Sequence, residues 1–134
     1  MSTLNVGTIK SASSAAPVFQ NSSGTEKGQL VKVWVQIDGT GTVGIRDDFN
    51  VSSIGDEGTG NYRVNFSNSM SNTNYCVTAI GCQYSTFSSN SHIDGVQITN
   101  YATSSIDVIC FGSTENPTSR DDFEHVNLTV IGAN

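Results

Sequence analysis

The sequence predicts an all-β protein: an antiparallel β-sandwich, jelly-roll-like, of about eight short strands with an extended N-terminal arm. Three observations carry that prediction. Runs of Val, Ile, Tyr and Phe recur along the chain at intervals of about ten residues, alternating with polar side chains. Clusters of Gly, Ser, Asn and Asp separate those runs. No long stretch has the spacing of an amphipathic helix.

Residues 1–29 read as the arm and attachment segment, and residues 30–134 as the sandwich. In the arm, Leu4, Val6 and Ile9 make a short apolar series. Residues 11–29 then read as an extended linker of Ser, Ala, Asn and Gly with one small anchor, Val18-Phe19. Such a segment carries no core of its own, but it can lie across a neighbour.

From residue 30 the period changes to two. Val31, Val33, Val35 and Ile37 alternate with Lys32, Trp34 and Gln36, the pattern of a strand with one wet face. Asp38-Gly39-Thr40-Gly41 is a turn, and residues 42–46 form a second strand. Residues 49–54 and 61–66 read as a hairpin closed by the glycine-rich turn of residues 55–60, with Tyr62, Val64 and Phe66 on one face. Further strands are expected at residues 75–80, 83–86, 93–98, 106–111 and 125–131. A short echo, Arg46-Asp47-Asp48-Phe49 and Arg120-Asp121-Asp122-Phe123, is a weak sign of two similar strand starts.

Composition narrows the function. The chain has 134 residues, with 36% hydrophobic and 13% charged, and 19 Ser, 14 Thr, 13 Asn and 13 Gly. Six basic residues against twelve acidic ones give a net charge of −6, which leaves no electrostatic footprint for nucleic acid. No apolar run has the length of a membrane span, so no membrane insertion is expected. The start lacks the basic and apolar regions of a signal peptide. Cys76, Cys82 and Cys110 are an odd count without zinc spacing; they read as free thiols, Cys76 and Cys110 as small buried hydrophobes, in a chain folded in a reducing cytoplasm.

Catalytic chemistry finds little support. No Gly-x-Ser-x-Gly elbow is present. Gly39-Thr40-Gly41-Thr42-Val43-Gly44 follows a strand but opens no helix, so it is no phosphate cradle. His92 lies two residues before Asp94. His125 follows Glu124, and adjacent residues of a strand point to opposite faces, so these two are not expected to pair. Asp56 to Asn61, with the pairs Asp47-Asp48 and Asp121-Asp122, offer oxygens for calcium but lack the continuation of an EF-hand loop; turn chemistry and solubilising charge are the favoured reading. No catalytic residue, metal or cofactor is expected. Trp34, the only Trp, stands among polar neighbours and suits a core edge or a subunit contact, with ligand stacking the minor alternative.

The ordered segments of residues 31–81 carry a resemblance. A Val33-Trp34-Val35 strand, the turn at residues 39–42, Ile45-Arg46, Phe49-Asn50-Val51-Ser52-Ser53-Ile54, the turn at residues 58–60 and Tyr62-Arg63-Val64-Asn65-Phe66 resemble the small β-rich tail-fibre-type virion proteins of tailed bacteriophages, cyanophages among them. Leu4-Asn5-Val6-Gly7-Thr8-Ile9, a Ser/Ala linker and Phe19 are similar to the start of those chains. The resemblance implies a non-enzymatic virion protein, made in the host cytoplasm and assembled as a homotrimer, with other virion proteins of the tail or capsid as partners. Leu4, Val6, Ile9, Val18, Phe19 and Trp34 are the interface and attachment candidates.

Three functions compete. The first is a displayed module for attachment or host-surface adhesion, its loops at residues 85–92 and 112–122 meeting host surface glycan. The second is a capsid decoration (cement or head-fibre) protein clamping capsomers through its arm, which the short chain favours. The third is a glycan hydrolase, for which Asp47, Asp48, Asp121 or Asp122 would have to supply the two carboxylates.

Overall fold

The computed structural model describes residues 4–10, 17, 19–83, 94–112 and 119–132. The chain divides into two units, Met1–Leu30 and Val31–Asn134. Among the described residues there is no helix, and therefore none long and apolar enough to cross a membrane.

The first unit contains a small hairpin that the polar sequence of residues 19–28 concealed. Strand β1 (Phe19–Gln20) pairs antiparallel with β2 (Glu26–Gly28). Asn21 folds the turn: its Oδ1 accepts from the backbone N–H groups of Ser23 at 3.1 Å and Thr25 at 2.8 Å, an Asx turn. Gly24 sits at φ 79°, where glycine meets no Cβ penalty. Leu4, Val6, Ile9 and Phe19 are all exposed.

The second unit is a sandwich of two four-stranded antiparallel sheets. Its strands are β3 (Val31–Asp38), β4 (Gly44–Phe49), β5 (Val51–Asp56), β6 (Asn61–Phe66), β7 (Tyr75–Cys82), β8 (Asp94–Thr99), β9 (Ser105–Gly112) and β10 (His125–Gly132). One sheet has the order β4-β3-β10-β7 and the other β5-β6-β9-β8. The number and layering of strands match the expected sandwich. The path is richer in hairpins than a jelly roll, since β3-β4, β5-β6 and β8-β9 each join within one sheet. The expected strand at residues 83–86 lies largely outside the described residues, and β7 extends to Cys82.

Alternation builds the core. Val33, Val35 and Ile37 of β3 and Val126, Leu128 and Val130 of β10 meet Tyr62, Val64 and Phe66 of β6 and Ile106, Val108 and Cys110 of β9. Each fully buried aliphatic side chain of this kind contributes about 1.5–3 kcal/mol relative to exposure. Cys110 is buried as expected, but Cys76 is exposed: it occupies an outward position of β7, opposite Ile131.

One residue carries the chain from sheet to sheet. Asn50, between β4 and β5, adopts φ 61°, a left-handed conformation that Asn tolerates better than most residues. Its Nδ2 donates to the carbonyls of Lys32 (3.1 Å) and Asn68 (3.2 Å). Its Oδ1 accepts from the backbone N–H (2.8 Å) and Nδ2 (2.9 Å) of Asn68. Both donors and both acceptor positions of the amide are thus engaged. Asp48 completes the corner by accepting from the Val51 N–H at 3.1 Å.

The corner predicts an ordered series. Asn50→Ala loses the amide contacts and keeps the φ strain, and should lower unfolding stability by about 2–3 kcal/mol. Asn50→Gly loses the same contacts but relieves the strain, so it should cost less. Urea unfolding of the three proteins checks the order; equal losses would show that the backbone conformation contributes nothing.

Candidate functional site

The register of the first sheet places an aromatic pair on its outer face. Burying Val33, Val35 and Ile37 turns Lys32, Trp34 and Gln36 outward. Trp34 is aligned with Phe49 of β4 and with Thr129 of β10. Across such pairs, Cβ atoms lie about 4.5–5.5 Å apart. In the adjacent row, Gln36 is aligned with Asp47 and Asn127, and Asn127 with Ile80. The Gln36 Nε2 donates to Asn127 Oδ1 at 3.2 Å. Trp34 is 37% exposed, Phe49 52% and Ile80 69%. Ile131 is exposed on the same face. The face thus combines large apolar side chains with an amide-rich centre, a composition found where surfaces make contacts.

The acidic candidates have structural partners. Asp47 Oδ1 accepts from the Asp48 N–H at 2.9 Å, and Asp48 serves the corner. Asp121 Oδ1 accepts from the Asp122 N–H at 3.0 Å, and its Oδ2 accepts from Gln83 Nε2. Asp122 Oδ1 accepts from the Gly60 N–H at 2.7 Å and from the Tyr62 hydroxyl at 3.0 Å, tying the segment before β10 to the opposite sheet. Burial, reinforced by Asp122, pushes the Tyr62 phenol well above its ordinary pKa. Gly60 is required there, because a Cβ would lie 2.6 Å from the Asp121 carbonyl oxygen. The Arg-Asp-Asp-Phe echo marks no structural repeat: Phe49 is on the outer face, whereas Phe123 is fully buried. Asp56 Oδ1 caps the Gly58 N–H at 3.0 Å. Among the described residues no group of three or more His, Cys, Asp or Glu is placed to hold a metal ion.

Arg46 shows a contact that spacing alone did not suggest. Between Gln36↔Asp47 and Ile37↔Ile45 the register shifts, leaving Arg46 as the extra residue of a bulge. Its Nη2 reaches Asp38 Oδ2 at 2.6 Å and the Glu124 carbonyl at 3.2 Å. Hydrogen bonds from Thr40, with Arg46 nearby, hold the Asp38 carboxyl below its ordinary pKa. His125 Nε2 lies 3.8 Å from Glu124 Oε1, contrary to the expectation from strand alternation. Glu124 precedes β10, so alternation does not govern it.

The second sheet has a different outer face. Arg63 forks onto Asp107, with Nε–Oδ1 at 2.8 Å and Nη2–Oδ2 at 3.1 Å. Asn100 Nδ2 donates to Asp107 Oδ2 at 2.6 Å, and Arg63 Nη1 lies 3.2 Å from Glu57 Oε1. The hydrogen bonds from Arg63, joined by that from Asn100, hold the Asp107 carboxyl below its ordinary value despite its burial.

Of the interface candidates, Leu4, Val6, Ile9 and Phe19 lie exposed in Met1–Leu30, and Trp34 lies on the sheet face. Val18, His92 and the expected contact loop of residues 85–92 lie outside the described residues, as do residues 113–118 of the second loop. Sequence reasoning missed Phe49 as the partner of Trp34; an exposed Phe in an otherwise polar strand was the available signal. Comparison with protein-family models, curated proteins and solved structures gave no match.

Trp34→Thr should change stability by less than about 1 kcal/mol, whereas Ile37→Ala, three residues along the same strand, should cost about 2–5 kcal/mol. A comparable loss for both in urea unfolding would place Trp34 energetically in the core. The Asp107 pair should also show in the pH dependence. Its folded pKa lies below the ordinary 3.8, so its stabilisation is present above that value and lost as pH falls through the folded pKa. Asp107→Asn should therefore be less stable than the parent at neutral pH, with the gap narrowing in acid; a constant gap from neutral pH to the acid limb would refute this assignment.

Proposed function

We propose that the protein is a non-enzymatic virion structural protein of tail-fibre type, a displayed β-module for attachment and host-surface adhesion that works as a homotrimer. The observation supporting this reading best is the outer face of β4-β3-β10-β7, where Trp34 and Phe49 stand exposed on an ordered sheet. A rigid sandwich holding an aromatic pair outward suits recognition by contact. The likeness of residues 31–81 to phage tail-fibre-type chains supplies the virion context.

The exposed side chains of Leu4, Val6 and Ile9 favour a second reading, a capsid decoration protein that clamps capsomers through its arm. Copy number per purified virion, measured by quantitative mass spectrometry against the major capsid protein, separates the two. A few dozen copies or fewer are expected for the tail module, and substitutions in the loops of residues 85–92 and 112–122 should then change adsorption to host cells without changing particle stability. Copies comparable to the capsid protein, or one third of them, would transfer the assignment to the head. Absence from purified virions would overturn both.

A further inference from the structure

Each chain carries two exposed apolar surfaces, and charge indicates how they match. Residues 31–134 hold eleven of the twelve acids and four of the six bases, a net of −7. Residues 1–30 hold Lys10, Lys27 and Glu26, a net of +1. Two sandwiches meeting face to face would bring together two bodies of like net charge, with Asp47 and Lys32 both on the outer face beside the aromatic pair. The segment of residues 4–10 instead combines apolar side chains with a cation: Leu4, Val6 and Ile9 are exposed, Leu4 to 79%, and Lys10 follows Ile9 directly. The opposed net charges of arm and sandwich favour an arm as occupant over a second sandwich face.

We infer that residues 4–10 of one copy dock on the Trp34–Phe49 face of a second copy, so that the chain self-assembles by exchanging arms. Leu4, Val6 and Ile9 cover the apolar side chains of the face, and Lys10 approaches Asp47. Gln36 and Asn127, at the centre of the face, offer amide groups to the backbone of the arm. The contact is heterologous: every copy gives one arm and receives one, and a closed ring satisfies all arms at once. This deepens the proposed function by naming the partner of the arm. It rests on the reading that the face works by contact, not on the virion assignment, because it is testable with the purified chain alone.

The test is the molar mass of the full-length chain over a dilution series, by light scattering after size exclusion, with circular dichroism confirming that each variant folds. The parent should be oligomeric. Leu4→Ser/Val6→Ser/Ile9→Ser removes the arm's apolar contacts, and Trp34→Thr/Phe49→Thr removes those of the face. Each set should weaken association by roughly tenfold or more. An equimolar mixture of the two should recover a heterodimer, since the intact arm of one meets the intact face of the other. Emission from Trp34 should lie further to the blue in the parent than in the arm variant. A monomeric parent overturns the proposal. So does an arm variant that associates as the parent does, which would mean that the faces pair directly, and so does a mixture that stays monomeric. Loss of the virion assignment by copy number would leave each of these outcomes unchanged.

Discussion

Burial of Val33, Val35 and Ile37 sets the geometry of the first sheet, because β3 lies inside it, with β4 on one side and β10 on the other. A strand allows no independent choice of side for successive residues. Once the three aliphatic side chains enter the core, Lys32, Trp34 and Gln36 must leave it. The ladders then impose the same choice on the neighbours, so Phe49 and Asp47 turn outward on β4, and Asn127 and Thr129 on β10. A slip of one residue would bury Trp34 and Lys32 and expose the valines. The Trp34–Phe49 pair is therefore a consequence of the core.

This dependence explains which parts of the sequence were legible. β3 and β6 were read nearly to the residue, since their alternation is uninterrupted and their inner residues are fully buried. The apolar pattern alone assigns Phe49 to the strand of residues 49–54, because apolar spacing does not register a corner made by a single residue. Asn50 makes that corner through its φ and its amide, features that belong to geometry rather than to pattern. The hairpin at residues 19–28 escaped because it buries little and is organised by the Asn21 carboxamide. Cys76 looked internal because β7 is rich in apolar residues, yet the strand lies at a sheet edge and carries Cys76, Thr78 and Ile80 outward.

The acidic residues illustrate a second limit. Side by side in sequence, Asp47-Asp48 and Asp121-Asp122 resemble oxygen donors awaiting a cation or a substrate. In the fold, Asp48 and Asp122 each accept a backbone N–H, from Val51 and Gly60. A buried backbone donor without a partner costs about as much as a lost hydrogen bond, so carboxylates at these positions have a structural reason to be present. Composition counts charges; it does not reveal which of them are already engaged by the main chain.

The two outer faces differ in what they leave for a partner. On β5-β6-β9-β8, Asp107 accepts three hydrogen bonds from Arg63 and Asn100, and Arg63 extends to Glu57. Covering that network would strip water from the half-exposed Arg63 without adding an acceptor for it, an unfavourable exchange. On β4-β3-β10-β7, the exposed surface of Trp34, Phe49, Ile80 and Ile131 gains from being covered, and the amide pair at its centre stays hydrogen-bonded while doing so. The same core that fixes the fold thus leaves a sandwich with one face suited to water and one suited to contact. An assembly built from such a unit is directional: a partner gains by covering the aromatic face, and the ion-paired face remains outward.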